Sequence, residues 1–227
     1  MGGQACVFYG AAEFSRDTDF AILAETKNLT RLRKALDELR ARVIAVPPFE
    51  LKYLKRGHAI HFRCQHPETF GMRVDIMSKM RGVEPFPRLW TRRTTIELPD
   101  GLKCDLLGLS DLVQAKKTQR DKDWPMIRRL VEAHYFQNRD KAKAAPVGFW
   151  LRELRTPSLL IEDAESNGAA ARKAVSKRPL LAQAIAGNAT ELERDLRHEE
   201  AAERERDKTY WLPLRKELER LRHNKRD

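Results

Sequence analysis

Cysteine is scarce in this chain, and the few present cannot act together. Cys6, Cys64 and Cys104 are odd in number, far apart, and form no CxxC spacing. That excludes a disulfide framework and a thiolate zinc site, and makes a reducing cytoplasm the expected setting. Long apolar runs are missing as well: none approaches the ~18 residues that a membrane span needs. The opening MGGQACVFYG lacks the basic segment of a secretion signal. A membrane span and an exported precursor are therefore not expected. No internal repeat is visible.

What remains is a charged chain with enough apolar residues to fold. At 227 residues it suits a core domain of roughly 140–150 residues with an appendage. Apolar residues make up 41% and charged residues 34%. The net charge of +11 is unevenly spread. Residues 51–150 carry 20 basic and 11 acidic side chains, a surplus of nine, while residues 1–50 balance to zero. Such a basic middle segment suits a polyanionic partner, RNA or nucleotide phosphates, or serves solubility alone.

The first 150 residues alternate strand-like and helix-like segments. Ala5–Tyr9 reads as a short buried strand closed by Gly10, and Asp17–Leu23 as a second strand. Leu29, Leu32, Leu36 and Leu39 recur at helical spacing behind a cap at Asn28 or Thr30. Val43–Val46 reads as a strand, and Pro48 to Leu54 as a short helix closed by Gly57. Ala59–Cys64 and Met72–Met77 alternate cleanly, with Ile60, Phe62, Cys64, Met72, Val74 and Ile76 on the apolar faces. Thr94–Leu98 and Leu102–Leu106 flank the turn Pro99-Asp100-Gly101. Ser110 caps a helix expected to reach about Lys122, and Asp123 caps the next, from Trp124 to about Phe136. Lys141–Ala145 reads as a linker or a helix end, and from Thr190 onward the pattern is helical and densely charged, with Leu192, Leu196, Leu214, Leu218 and Leu221 as a thin apolar stripe. The expected architecture is an α/β domain with a short mixed sheet, residues 1–140, followed by a charged helical extension, residues 141–227.

The chemistry concentrates in Gly2-Gly3, in Ser15-Arg16-Asp17-Thr18-Asp19 and in Arg73-Val74-Asp75-Ile76. Carboxylates at i and i+2 of a strand project to the same side, so Asp17 and Asp19 can share a metal. Hard oxygen donors suit Mg²⁺ or Mn²⁺ bridging nucleotide phosphates. Asp75, polar in front and apolar behind, completes the set if its strand lies beside the first. On its own, Asp75 also reads as a carboxylate paired with Arg73 or Arg63. His58, His61 and His66 fit no metal-ligand spacing and read as surface or strand-face histidines.

The ordered pieces resemble the nucleotidyltransferase superfamily in its minimal bacterial form, related to MNT-type and AbiEii-like toxin enzymes. That family carries Gly-Gly or Gly-Ser, a spacer, Asp-x-Asp, and a third Asp on a later strand. The likeness continues through Leu109-Ser110-Asp111-Leu112 to Lys116-Lys117 and Arg120-Asp121-Lys122-Asp123, and spans residues 2 to about 136. Only Met1 precedes Gly2, where the family has a helix, and the basic residues sit one position off the commonest spacing. The resemblance implies that Asp17, Asp19 and Asp75 hold a divalent metal and are catalytic. It implies that Gly2, Gly3, Ser15, Lys116 and Arg120 bind the nucleotide, with Lys116 and Arg120 on one helix face.

The expected activity is transfer of an NMP from an NTP to a hydroxyl on RNA (a tRNA end, for example), on protein or on a small molecule. A toxin–antitoxin setting goes with that resemblance, as does pairing with a second copy or a partner protein through the C-terminal helices. The alternative is a non-catalytic nucleotidyltransferase-like binding module, an antitoxin or a scaffold partner.

Overall fold

The computed structural model describes residues 1–141 and 144–224 as a mixed α/β chain. The linker expected at 141–145 lies partly outside the described residues. The chain divides into two compact units, residues 1–115 with 209–227, and residues 116–208. That partition differs from the division at residue 140 read from composition.

The first unit opens with helix α1 (Gly2–Phe8), not the strand expected over Ala5–Tyr9. A five-residue apolar run does not distinguish a strand from a buried helical turn. Gly10 settles it: at φ +74 it ends the helix, with Gly10 N–H donating to Val7 and Ala11 N–H to Cys6. This pair of bonds is the Schellman ending of an α-helix. Strand β1 (Asp17–Ala21) follows, then α2 (Thr26–Glu38), β2 (Arg42–Val43), α3 (Leu51–Arg56), β3 (Ile60–Arg63) and β4 (Arg73–Met77). They form one sheet in the order β1-β4-β3-β2, in which only β1 and β4 run parallel.

One face of that sheet is apolar. Ile60, Phe62, Cys64, Val74 and Ile76 pack with Leu29 and Leu36 of α2 and Leu54 of α3. Alternation along each strand sends Asp17, Asp19, His61, Arg63, Arg73 and Asp75 to the opposite face. A short α4 (Phe86–Thr91) precedes the expected hairpin, β5 (Thr94–Glu97) and β6 (Lys103–Leu106), which forms a separate two-stranded sheet. Residues 209–224 belong to this unit. Glu217 accepts from buried His58 at 2.8 Å and pairs with Arg56, while Leu214 packs beside Gly57.

Helix α5 (Leu109–Lys116) stops at the unit boundary, well short of Lys122. The second unit is helical: α6 (Asp123–Asn138), α7 (Ala144–Glu153), α8 (Pro157–Ser166), α9 (Gly168–Ala174), α10 (Leu181–Ile185) and the long α11 (Ala189–His223), whose residues up to 208 belong here. Its core holds Trp124, Ile127, Leu130, Trp150, Leu154 and Leu160. Leu192 and Leu196 of the apolar stripe are buried in the same unit. Glu199 joins Arg155 and Arg178 at 2.7 and 2.9 Å. Among the described residues no helix is long and apolar enough to cross a membrane.

Candidate functional site

The register of β1 on β4 sets the geometry. Asp17 lies opposite Arg73, and Asp19 opposite Asp75. Side chains opposite each other on neighbouring strands share a face, so the three predicted carboxylates lie together on the polar side of the sheet. Two like charges directly opposite repel, and the structure sets a cation among them. The Arg73 guanidinium binds Asp75 through two hydrogen bonds, Nε to Oδ1 and Nη2 to Oδ2, both 3.0 Å, and its Nη1 lies 3.9 Å from Asp17 Oδ2.

The third strand adds a residue whose role the sequence does not suggest. His61 on β3 lies opposite Asp75, with its Nδ1 2.8 Å from Asp75 Oδ1. A carboxylate only accepts, so the proton of this contact sits on Nδ1. The Arg73 Nη2 atom, 3.1 Å from the same nitrogen, then faces another donor and makes no bond to it. Burial pushes the Asp75 pKa up, but the hydrogen bonds from His61 and Arg73 outweigh it and hold the carboxyl below its ordinary value. Asp75 is thus an anion at neutral pH, oriented on both sides. The bond to Asp75, aided by the charges of Asp17 and Asp19, raises the Arg73 pKa in turn.

The glycine pair meets the same strand. Gly2 has φ +62, and a Cβ added there would fall 1.8 Å from Asp19 Oδ2. A Cβ on Gly3 would fall 2.4 Å from Ser15 Oγ. Glycine is therefore what lets the first turn of α1 close on the acidic strand. The Gly3 N–H donates to Asp19 Oδ2 at 3.4 Å, and Ser15 donates to the Asp17 carbonyl at 2.8 Å. Gly2, Gly3, Ser15, Asp17, Asp19 and Asp75 are brought together as one constellation.

Lys116 and Arg120 lie in the second unit. They do not share a helix face, because α5 ends at Lys116. Both spend their charge on buried Asp123: Lys116 Nζ lies 3.1 Å from its Oδ1 and Arg120 Nε 2.7 Å from its Oδ2, which also accepts from Thr118 at 2.6 Å. Desolvation raises the Asp123 pKa, and Lys116, Thr118 and Arg120 together hold it below the usual range.

Among the described residues, no three His, Cys, Asp or Glu side chains are grouped closely enough to hold a metal ion. Chemically, the donors fit a hard divalent cation: carboxylates from adjacent strands on one face, with charge repulsion for it to relieve. The Arg73 guanidinium already occupies Asp75 through two hydrogen bonds. The Arg73–Asp75 pairing is one that the sequence offers, whereas the part of His61 depends on the pairing of β3 with β4. The alternation of Ala59–Cys64 against Met72–Met77 is the one signal that could have placed His61 beside Asp75. Compared with protein-family models, with curated proteins and with solved structures, the chain matches none of them.

Proposed function

We propose that this chain is a metal-dependent nucleotidyltransferase that moves an NMP from an NTP to a hydroxyl acceptor. One observation carries the reading: Asp17, Asp19 and Asp75 share a sheet face, with the backbone of Gly2 and Gly3 packed against Asp19. Asp17 and Asp19, joined by Asp75 once Arg73 turns aside, would hold Mg²⁺ or Mn²⁺. Bound there, the ion would neutralise phosphate charge and orient the triphosphate.

The chain's own groups have distinct tasks in this reading. Asp75 fixes the His61 tautomer, which leaves Nε2 as the ring nitrogen able to take the acceptor's hydroxyl proton. The freed oxygen attacks the α-phosphorus in line, the α–β bridging P–O bond breaks, and pyrophosphate leaves. A guanidinium displaced from Asp75 becomes available to the departing phosphates as a bidentate partner. Most of the rate comes from positioning and charge neutralisation, so the carboxylates outrank the base in importance.

The Arg73–Asp75 pair also favours a second reading, a binding module of the same architecture whose acidic face is permanently neutralised from within. Incubation with α-labelled NTPs, Mg²⁺ or Mn²⁺ and total RNA separates the two. The enzyme reading expects label in an acid-insoluble product from wild type, and a loss of at least about a hundredfold in Asp17→Asn/Asp19→Asn. No incorporation into RNA, protein or a small product by wild type, or equal incorporation by both proteins, leaves the binding module.

A further inference from the structure

The residue row that begins at Asp17 does not stop at Arg73. Arg73 lies opposite Arg63 on β3, and Arg63 opposite Arg42 on β2. Three arginines therefore stand side by side across three neighbouring strands, on the face that carries the carboxylates. Like charges in directly opposed positions destabilise a sheet. Arg73 is relieved by Asp75, but Arg42 and Arg63 are exposed, and neither has a carboxylate within ion-pair distance among the described residues. A row of this kind is a liability unless an anion covers it.

Its place in the sheet identifies the anion. Asp17 opens β1, Arg73 opens β4, Arg42 opens β2 and Arg63 closes β3, so all four lie at one end of the sheet. The same end receives the segments that lead into β1 and β4. Each bears a phenylalanine three residues before its strand, Phe14 and Phe70. At 69% and 79% exposure these are the most exposed large hydrophobic side chains of the described residues, and neither belongs to the core. Cations that can follow a phosphodiester chain, beside aromatic rings open to solvent, are the combination that binds single-stranded nucleic acid. The backbone supplies the charge and the bases supply faces for stacking. A nucleoside triphosphate carries a single base and would occupy at most one of the two rings.

We propose that the Arg42–Arg63–Arg73 row with Phe14 and Phe70 is a track for a single-stranded RNA backbone that ends at the acidic constellation, which makes the acceptor hydroxyl an RNA hydroxyl. The acceptor assignment rests on the nucleotidyltransferase reading above; the track does not.

Binding is measured by fluorescence anisotropy on a labelled single-stranded RNA, in EDTA and without NTP, as a function of salt, so that no catalysis enters. Arg42→Ala/Arg63→Ala is expected to weaken binding at least about tenfold and to flatten log K against log salt by about 0.7 for each phosphate that is no longer neutralised. Arg42→Lys/Arg63→Lys keeps the charge and retains most of the affinity. Phe14→Ala/Phe70→Ala weakens binding about tenfold with the slope unchanged. Asp17→Asn/Asp19→Asn binds RNA at least as tightly as wild type. Wild type that binds no RNA, or an unaltered affinity and slope in Arg42→Ala/Arg63→Ala, overturns the track. The reading of the acidic site fails separately: RNA binding that depends on the arginines, in a protein that transfers no label, leaves the track standing and removes the enzyme.

Discussion

Asp19 and Asp75 stand directly opposite each other on adjacent parallel strands, and Arg73, two residues before Asp75, holds the Asp75 carboxylate through two hydrogen bonds and lies 3.9 Å from Asp17. The chain thus supplies a cation of its own on this face. Removing that charge is therefore the sharpest probe of the site. Arg73→Met is expected to lose about 1–2 kcal/mol of stability in EDTA, a figure discounted for the partial exposure of the pair. Mn²⁺ or Mg²⁺ is expected to restore much of the loss, since the carboxylates bind it more tightly once the guanidinium no longer competes for Asp75. Thermal unfolding with and without metal checks this. A variant that is equally destabilised in both conditions denies the cation site.

The second unit stores charge differently. Asp123 is 1% exposed and answers two cations, Lys116 and Arg120. Asp123→Asn removes the anion and leaves the Lys116 ammonium, only 8% exposed, without its partner. Breaking one side of a buried pair costs about 3–5 kcal/mol. The sign with pH follows from the lowered pKa: the wild-type contribution is present above the unfolded-state value near 3.8 and is lost as pH falls through the lower folded-state value. The stability gap between wild type and Asp123→Asn, from denaturant titrations, should thus be widest at neutral pH and shrink below pH 4. A gap independent of pH would show that the carboxylate charge is not what the cluster uses.

How far the sequence foretells this molecule depends on what each feature needs. The strands around Ile60 and Val74 and the turn at Asp100-Gly101 are legible, because alternation and turn chemistry are local. The sharing of one face by Asp17, Asp19 and Asp75 is expected if the two strands pair, and the observed register supplies that condition. Ala5–Tyr9 misleads, since Gly10 ends a helix by the same left-handed turn that can close a strand. The helix carrying Lys116 is shorter than its spacing predicts. Its continuation, Lys117-Thr118-Gln119-Arg120, is polar enough for a helix surface, but a buried Asp123 draws Lys116, Thr118 and Arg120 into a turn around it. The arginine row and the His61–Asp75 contact belong to strand pairing, which sequence spacing does not encode.

Asp163 gives a pH signature of opposite sign to Asp123. It is 1% exposed, its Oδ1 accepts from Asn167 at 2.9 Å, and its Oδ2 has no partner. Burial pushes its pKa up to about 6. The folded state therefore prefers the protonated acid, so the contribution of Asp163 to stability is greatest below pH 4 and falls as pH rises towards 6, by roughly 3 kcal/mol in all. Asp163→Asn cannot ionise and lacks that fall. Its stability relative to wild type should climb by about that amount between pH 4 and pH 7, whatever constant offset the amide introduces. Parallel pH–stability curves for the two proteins would place the charge of Asp163 in water.

A smaller gain is available at the end of α2. Leu39 caps the helix, and the Schellman bonds follow, Arg40 N–H to Asp37 at 2.9 Å and Ala41 N–H to Leu36 at 2.8 Å. The residue at the left-handed position is Arg40, with φ 49, the one non-glycine among the described residues with positive φ. A Cβ there crowds the following carbonyl at a cost of roughly 1 kcal/mol, which glycine escapes. Glycine is also freer in the unfolded chain, which offsets part of the gain. Arg40→Gly is accordingly expected to stabilise the first unit by about 0.5 kcal/mol, read as a higher denaturant midpoint with the slope unchanged. Because Arg40 stands outside the Arg42–Arg63–Arg73 row, the same variant should bind single-stranded RNA with less than about a threefold change. A reduction as large as that of Arg42→Ala/Arg63→Ala would show that net charge, and not the register of the sheet, governs the binding.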